Sequence, residues 1–368
     1  MEYPSLLTTL GGMQITNAAD WENWRRPEIM DLLSTYIYGK RPAAAEIGLH
    51  TTGKIVEEID QMNGYAVNFR KVEITAGGYT FPVYGYLPAK TEKPVPAFIF
   101  IMHEYFEKHS DLLHEPNHPN LPIPDITARG YAVYVMPTRF IYLDQDHHID
   151  YRDGVFNHFC DRELRREDDW ATISAWSWGA SRILDYLESV DAVDATQVAV
   201  VGHSRSGKTA LWCGATDQRV AMAVSNASGC SGAAMHRGKK EGAEMIRDIN
   251  CTDWFCGNYR KYNDNDDKLP CDQHMLIAAM APRLCYVESC SEDDWACPYA
   301  ERLSCRLAGE AYALYDMPGV ILPDEPVEAD TPYHEGSVGY HLKTGKHCIS
   351  AYDWTQYMDF WEKKRAVK

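Results

Sequence analysis

The sequence predicts a three-layer α/β sandwich, a mostly parallel central sheet with helices on both faces. Three observations predict it. Short, unbroken apolar runs such as PAFIFIM (96–102), YAVYVMP (131–137) and QVAVVGH (197–203) have the length of strands buried on both faces. Segments with helical spacing fall between such runs, and alternating strands and helices build a parallel sheet. A chain of 368 residues with 45% hydrophobic content can fill one large core.

The elements follow in order. Residues 20–38 carry apolar side chains at helical spacing, with Asp20 as the expected cap. Residues 64–90 alternate apolar and polar around Gly77-Gly78, which reads as an antiparallel hairpin. The three buried runs come next, with a helical stretch over 168–188 between the second and third. RVAMAVSN (219–226) and RLCYVES (283–289) give a fourth and a fifth strand, and 351–363 a closing helix. Residues 1–368 read as a single domain with insertions near 138–167 and 229–272. Ligand sites in such sheets lie beyond the carboxyl ends of the strands, so the insertions are expected to wall the site.

Composition narrows the function. A formal net charge of −17 argues against nucleic acid, which is gripped by a basic face. No run of 18 apolar residues is present, so no membrane-spanning helix is expected. The opening MEYPSLLTTLGGMQ has neither a basic n-region nor an apolar h-region. The 11 cysteines are odd in number and form no CxxC pair, which disfavours a structural zinc site and suits a reducing compartment. The expected location is the cytoplasm, or outside the cell if a leader has been removed.

The chemistry concentrates in VAVVGHSRSGKTALW (198–212), which supports two incompatible readings. Gly202 to Thr209 satisfies GxxxxGK[ST], a phosphate-binding loop with Lys208 reaching a terminal phosphate. Gly202-x-Ser204-x-Ser206 is close to the GxSxG nucleophile elbow of α/β-hydrolases, with Gly207 one residue late. The surroundings favour the elbow. A phosphate loop usually follows the first strand of its domain, whereas several strands precede this one. The elbow requires an acid and then a histidine downstream, and SCSEDDWACP (289–298) and GYHLKTGKHCISAYDW (339–354) supply them in that order. Ser204 is then the nucleophile and His347 its base, because a serine hydroxyl needs a neighbour to take its proton. Asp293 is the first choice for the acid that orients the imidazole, ahead of Asp294 and Glu292. The backbone N–H of Arg205 follows the nucleophile and suits an oxyanion hole, and its guanidinium adds a charged donor.

Other residues have plainer readings. His103 and Glu104 end a strand where a second oxyanion amide often lies. His203 is expected to pack, His274 to be buried, and His334 and His341 to compete with His347 for the role of base. DQDHHIDYRD (144–153) reads as a solvated loop rather than a metal site. Trp254 and Tyr259 suit either sugar stacking or packing of a lid.

The GHSRSGK run resembles the G-C/H-S-R-x-G-K elbow of the glucuronoyl esterases, carbohydrate esterase family 15, bacterial type. WENWRRPEIMDLLSTYIYGKRP, NASGCSGAAMHR, DWFCGNYRKYND, LPCDQHMLIAAMAPR and EDDWACP resemble that family's members in family order, from about residue 20 to 362. The resemblance implies hydrolysis of 4-O-methyl-glucuronate esters that link xylan to lignin alcohols, with no metal and no organic cofactor. It implies glucuronoxylan-derived oligosaccharide esters as partners. It matches Ser204, His347 and Asp293 to the triad, Arg205 to the oxyanion arginine, Lys208 to a lysine that binds uronate hydroxyls, and Trp295 to a sugar-contacting tryptophan. Fungal members carry a Glu where this chain has Ala227, which favours Asp293 as the acid. An acetyl xylan esterase is the alternative within enzymes, and a phosphate-loop nucleotide-binding protein the alternative outside them.

Overall fold

In the computed structural model, which describes residues 2–103, 116–144, 151, 153–250, 252–324 and 326–366, one large sheet organises the chain. Its strands are β1 (Thr51–Ile59), β2 (Val67–Ala76), β3 (Tyr79–Pro88), β4 (Val95–Met102), β7 (Ala132–Pro137), β8 (Val193–His203), β9 (Met222–Asn226), β10 (Leu284–Cys290), β11 (Pro332–Tyr333) and β12 (Val338–Lys343). The short β5 (Asn117–His118) and β6 (Leu121–Pro122) pair with each other in a separate two-stranded sheet. The order is β1-β2-β3-β7-β4-β8-β9-β10-β12-β11. The six strands from β7 to β12 run parallel, while β1, β2, β3 and β11 pair antiparallel at the two ends.

Strand β4 shows why its sequence is unbroken in hydrophobicity. Ala97, Ile99 and Ile101 face one core, which holds the helices Thr172–Leu187 and Arg205–Thr216. Phe98, Phe100 and Met102 face the other, which holds Trp354, Tyr357, Phe360 and Trp361 of the last helix, Ala351–Ala366. Phe98 meets Trp354 edge to face at 5.4 Å and Trp361 at 5.0 Å. Removing one such ring costs about 3–5 kcal/mol.

The hairpin turns at Gly77-Gly78, both with positive φ, as a two-residue turn between twisted strands requires. The expected helix over 20–38 begins earlier, at Ala18, and carries single turns of π-helix at Trp21–Arg25 and Ser34–Tyr38. Its cap is Asn17 rather than Asp20, because the Asn17 side chain accepts the Asp20 N–H at 2.9 Å. Among the described residues, no helix is long and apolar enough to cross a membrane.

Candidate active site

The site lies beyond the carboxyl ends of β8, β9, β10 and β12, and each strand delivers one part of it. Ser204 follows β8 and opens the helix Arg205–Thr216 at φ 57° and ψ −126°, a conformation that strains any residue with a Cβ. The sharp turn explains the small residues around it. A Cβ on Gly202 would stand 2.0 Å from the Ser206 carbonyl oxygen, and one on Gly207 would stand 3.0 Å from Ser228 Cβ. Ser206, where the motif usually has glycine, is fully buried. The turn is pinned by the Ser204 N–H to the Asn226 carbonyl at the end of β9 (2.8 Å).

His347 sits on the loop after β12. Its Nδ1 is 2.6 Å from Asp293 Oδ2, on the loop after β10. Asp293 Oδ1 accepts the Ala296 N–H at 3.2 Å, so both carboxylate oxygens are held. The histidine loop is fixed from below. Lys343 Nζ donates to the Cys348 carbonyl and to Asp353 Oδ2, both at 2.6 Å, and the Ser350 N–H donates to the same Asp353 oxygen at 2.7 Å. Glu288, His341 and Asp353 bring their ligand atoms within 4.8 Å of one another, a spacing compatible with a metal site. Lys343 Nζ already supplies the counter-charge there, 3.5 Å from Glu288. The cluster is therefore read as a buried ion network under the loop.

Ser204, His347 and Asp293 line one cavity of about 450 Å³ together with Arg205, Lys208, Glu244, Trp254 and Trp295. The Arg205 guanidinium pairs with Asp144 and lies 4.4 Å above the Trp254 ring. Asp144 also accepts the Trp254 indole N–H at 3.0 Å, so one carboxylate fixes both. Lys208 Nζ donates to the carbonyls of Ser228 (2.7 Å) and Cys230 (2.6 Å) and to Glu244 Oε2 (3.0 Å). Its three protons are thus directed at protein oxygens. Turned inward in this way, Lys208 does not crown the helix start as a phosphate-loop lysine would. It anchors Glu244 at the cavity wall, where Glu244 Oε1 accepts the half-exposed Trp295 indole N–H at 3.3 Å.

Ser204, His347, Asp293, Arg205, Lys208, Trp295 and Trp254 all line this cavity. Asp144 and Glu244 are additions. Asp144 heads a segment that reads as a solvated loop, yet it is buried, because it balances Arg205. Residues 145–150 and Arg152 of that segment, and Glu104, lie outside the described residues. A buried lysine demands a counter-charge, and that demand is the signal that leads to Glu244. Tyr259 is fully buried and bonds Ser231 and His236, so it packs the lid rather than faces a ligand. His341 is buried against Asp353 and Tyr286, and His334 bonds Tyr286. His203 is buried and bonds Asn226, and His274 is buried and bonds the Pro4 carbonyl.

Glu301 lies under the cavity floor, accepting the Ser289 hydroxyl at 2.6 Å and the Gly229 N–H at 2.9 Å. Burial pushes its carboxyl up to about 7, so the folded protein holds a proton that the unfolded chain has released. Stability from this group is intact below pH 4.5, where a free glutamate also stays protonated, and falls as the pH rises toward 7. Glu301→Gln is expected to remove that fall and to stabilise the protein above pH 7 by up to about 3 kcal/mol. Melting temperature measured from pH 5 to 8 for both proteins checks it.

The family model described as "Glucuronyl esterase, fungi" matches residues 146–317. The chain is 33% identical to "Carbohydrate esterase MZ0003" from an unknown prokaryotic organism, over 97% of this chain and 88% of that one. It is 30% identical to a 4-O-methyl-glucuronoyl methylesterase of Schizophyllum commune, over 76% of this chain and 65% of that one. Among solved structures it resembles a promiscuous CE15 esterase from a marine bacterial metagenome (TM-score 0.87, 32% identity, 98% and 96% of the two chains). It equally resembles the glucuronoyl esterase of Solibacter usitatus (TM-score 0.87, 30% identity, 98% and 97%). With likeness along nearly its whole length, the chain belongs to carbohydrate esterase family 15, the glucuronoyl esterases.

Proposed function

We propose that this protein hydrolyses glucuronate esters, 4-O-methylated or not, on oligosaccharides of the glucuronoxylan type, through an acyl-enzyme on Ser204. One observation carries the reading. A single cavity joins a Ser-His-Asp set to a wall of Arg205, Lys208 and Glu244, in a chain whose net charge is −17. His347 takes the serine proton as Oγ attacks the ester carbonyl, and Asp293 stabilises the imidazolium. The Arg205 backbone N–H and guanidinium meet the oxyanion. Glu244, braced by Lys208, accepts hydroxyls of the sugar ring, and Trp295 offers its face to that ring. The curated relative in Schizophyllum commune bears the name of this activity. Turnover of methyl or benzyl glucuronate well above release of acetate from acetylated xylan is the expected result. Faster acetate release would assign the protein to deacetylation instead.

Asp144 extends the reading to a residue that touches no substrate. Asp144→Ala is expected to lower kcat on methyl glucuronate about 100-fold with little change in KM, because it frees the Arg205 guanidinium and the Trp254 ring together. Asp144→Asn keeps an acceptor for the indole and is expected to fall between. Steady-state kinetics separates kcat from KM. A loss confined to KM would make Asp144 a binding residue only.

A further inference from the structure

Two cysteines meet beside His347, and the chemistry proposed above uses neither. Cys290 ends β10, the strand that leads to Asp293, and Cys348 directly follows His347. They are 58 residues apart in the chain, yet the Cys290 thiol points at the Cys348 carbonyl at 3.7 Å and hydrogen-bonds the Cys348 sulfur. The backbone holds them there. The Ser291 N–H donates to the Lys343 carbonyl at 2.8 Å and the Glu292 N–H to the Gly345 carbonyl at 2.9 Å, so the loop after β12 is laced to the end of β10. A disulfide forms only where two backbones already lie close and the sulfurs face each other, and both conditions are met here.

The pair divides into an attacking and a resolving thiol. Among the described residues Cys348 is the one exposed cysteine, and it lines a cavity of about 390 Å³ beside Ser204 and His347. The Cys290 thiol that donates to its sulfur, and with it the Lys343 ammonium, outweigh partial burial and draw Cys348 down to about 6. At neutral pH it is therefore the thiolate, the form that attacks an oxidant. Cys290 donates to Cys348 and is buried, so it keeps its proton. Burial pushes Cys213 and Cys256 up to about 11 and Cys285 up to about 12. Burial also raises Cys230, but the Lys239 ammonium, 2.9 Å away, brings it to about 7. That thiol is fully buried, out of reach of an oxidant in solution.

We propose that Cys348 and Cys290 are a site of oxidation by hydroperoxides, which closes a disulfide between the loops that carry His347 and Asp293. The Cys348 thiolate attacks one peroxide oxygen, the O–O bond breaks, and hydroxide or alkoxide leaves, giving a sulfenic acid. The Cys290 sulfur then bonds the Cys348 sulfur, the S–O bond breaks, and the hydroxyl departs with the Cys290 proton as water. The thiol pair loses two electrons and the hydroperoxide gains them. No ester takes part, so the proposal stands apart from the esterase reading.

Hydrogen peroxide is the probe, added at pH 7 to protein freed of reductant. A non-reducing digest of the wild type is expected to hold the Cys290 and Cys348 peptides joined. Cys290→Ser removes the resolving thiol, so Cys348 is expected to stop at the sulfenic acid and to be trapped by dimedone. The oxidised wild type is expected to melt about 5 °C above the reduced protein, because the bond closes a long loop. Dithiothreitol reverses that shift, and Cys348→Ser, a change at an exposed position, lacks it. A treated wild type in which Cys348 remains a free thiol, or is joined to a different cysteine, would overturn the proposal. So would a Cys290→Ser protein that dimedone labels at other cysteines and not at Cys348.

Discussion

Replacing Ser204 by Ala is expected to lower kcat on methyl glucuronate by roughly 10⁵-fold or more, with the melting temperature almost unmoved. The hydroxyl supplies the only covalent step, and members of such a set act as a unit, so its loss removes most of what the other two contribute. Some acceleration over water survives, because Arg205 and the cavity still bind the ester. Stability is preserved for a reason visible in the backbone. Ser204 sits at φ 57°, and Ala carries the same Cβ into the same strain. Ser204→Gly is equally inactive in this account but relieves the strain, and is expected to be more stable by about 1 kcal/mol. The pair of variants separates chemistry from folding. An Ala variant that keeps a tenth of wild-type turnover would mean that another group attacks the ester, and the mechanism would fail.

What the sequence discloses about this fold depends on whether burial or pairing holds each element. Strands β4, β7, β8, β9 and β10 are buried on both faces, so each writes an apolar run into the chain. Strand β1 is almost wholly exposed and is kept by its ladder with β2, so TTGKIVEEI carries no such run. Strand β12 is buried, yet VGYHLK contains Gly, His and Lys, because His341 and Lys343 belong to the ion network beneath the catalytic loop. The site divides in the same way. Ser204, Asp293 and His347 follow strand ends in an order that chain position reveals. Asp144 and Glu244 act through partners 61 and 36 residues away, and that pairing exists only in three dimensions.

Asp293→Asn is expected to lower kcat about 10⁴-fold with KM nearly unchanged. The run Glu292-Asp293-Asp294 offers three acids, and geometry separates them. Asp293 is buried and bonds His347 Nδ1, whereas Glu292 is exposed and Asp294 lines a different surface hollow with Cys297 and Arg302. An Asn at 293 can present its amide N–H to Nδ1, which leaves the imidazole proton on Nε2, facing the serine. The base is then occupied before the reaction begins. Glu292→Gln and Asp294→Asn are expected to stay within about twofold of wild type, since exposed charges at that range are screened. Ala227, which also lines the cavity, carries no carboxylate, so no acid is offered to His347 from that position. Kinetics on the three single variants settles the assignment. A large loss in the Glu292 or Asp294 variant, with Asp293→Asn close to wild type, would move the acid to a neighbour and with it the tautomer argument.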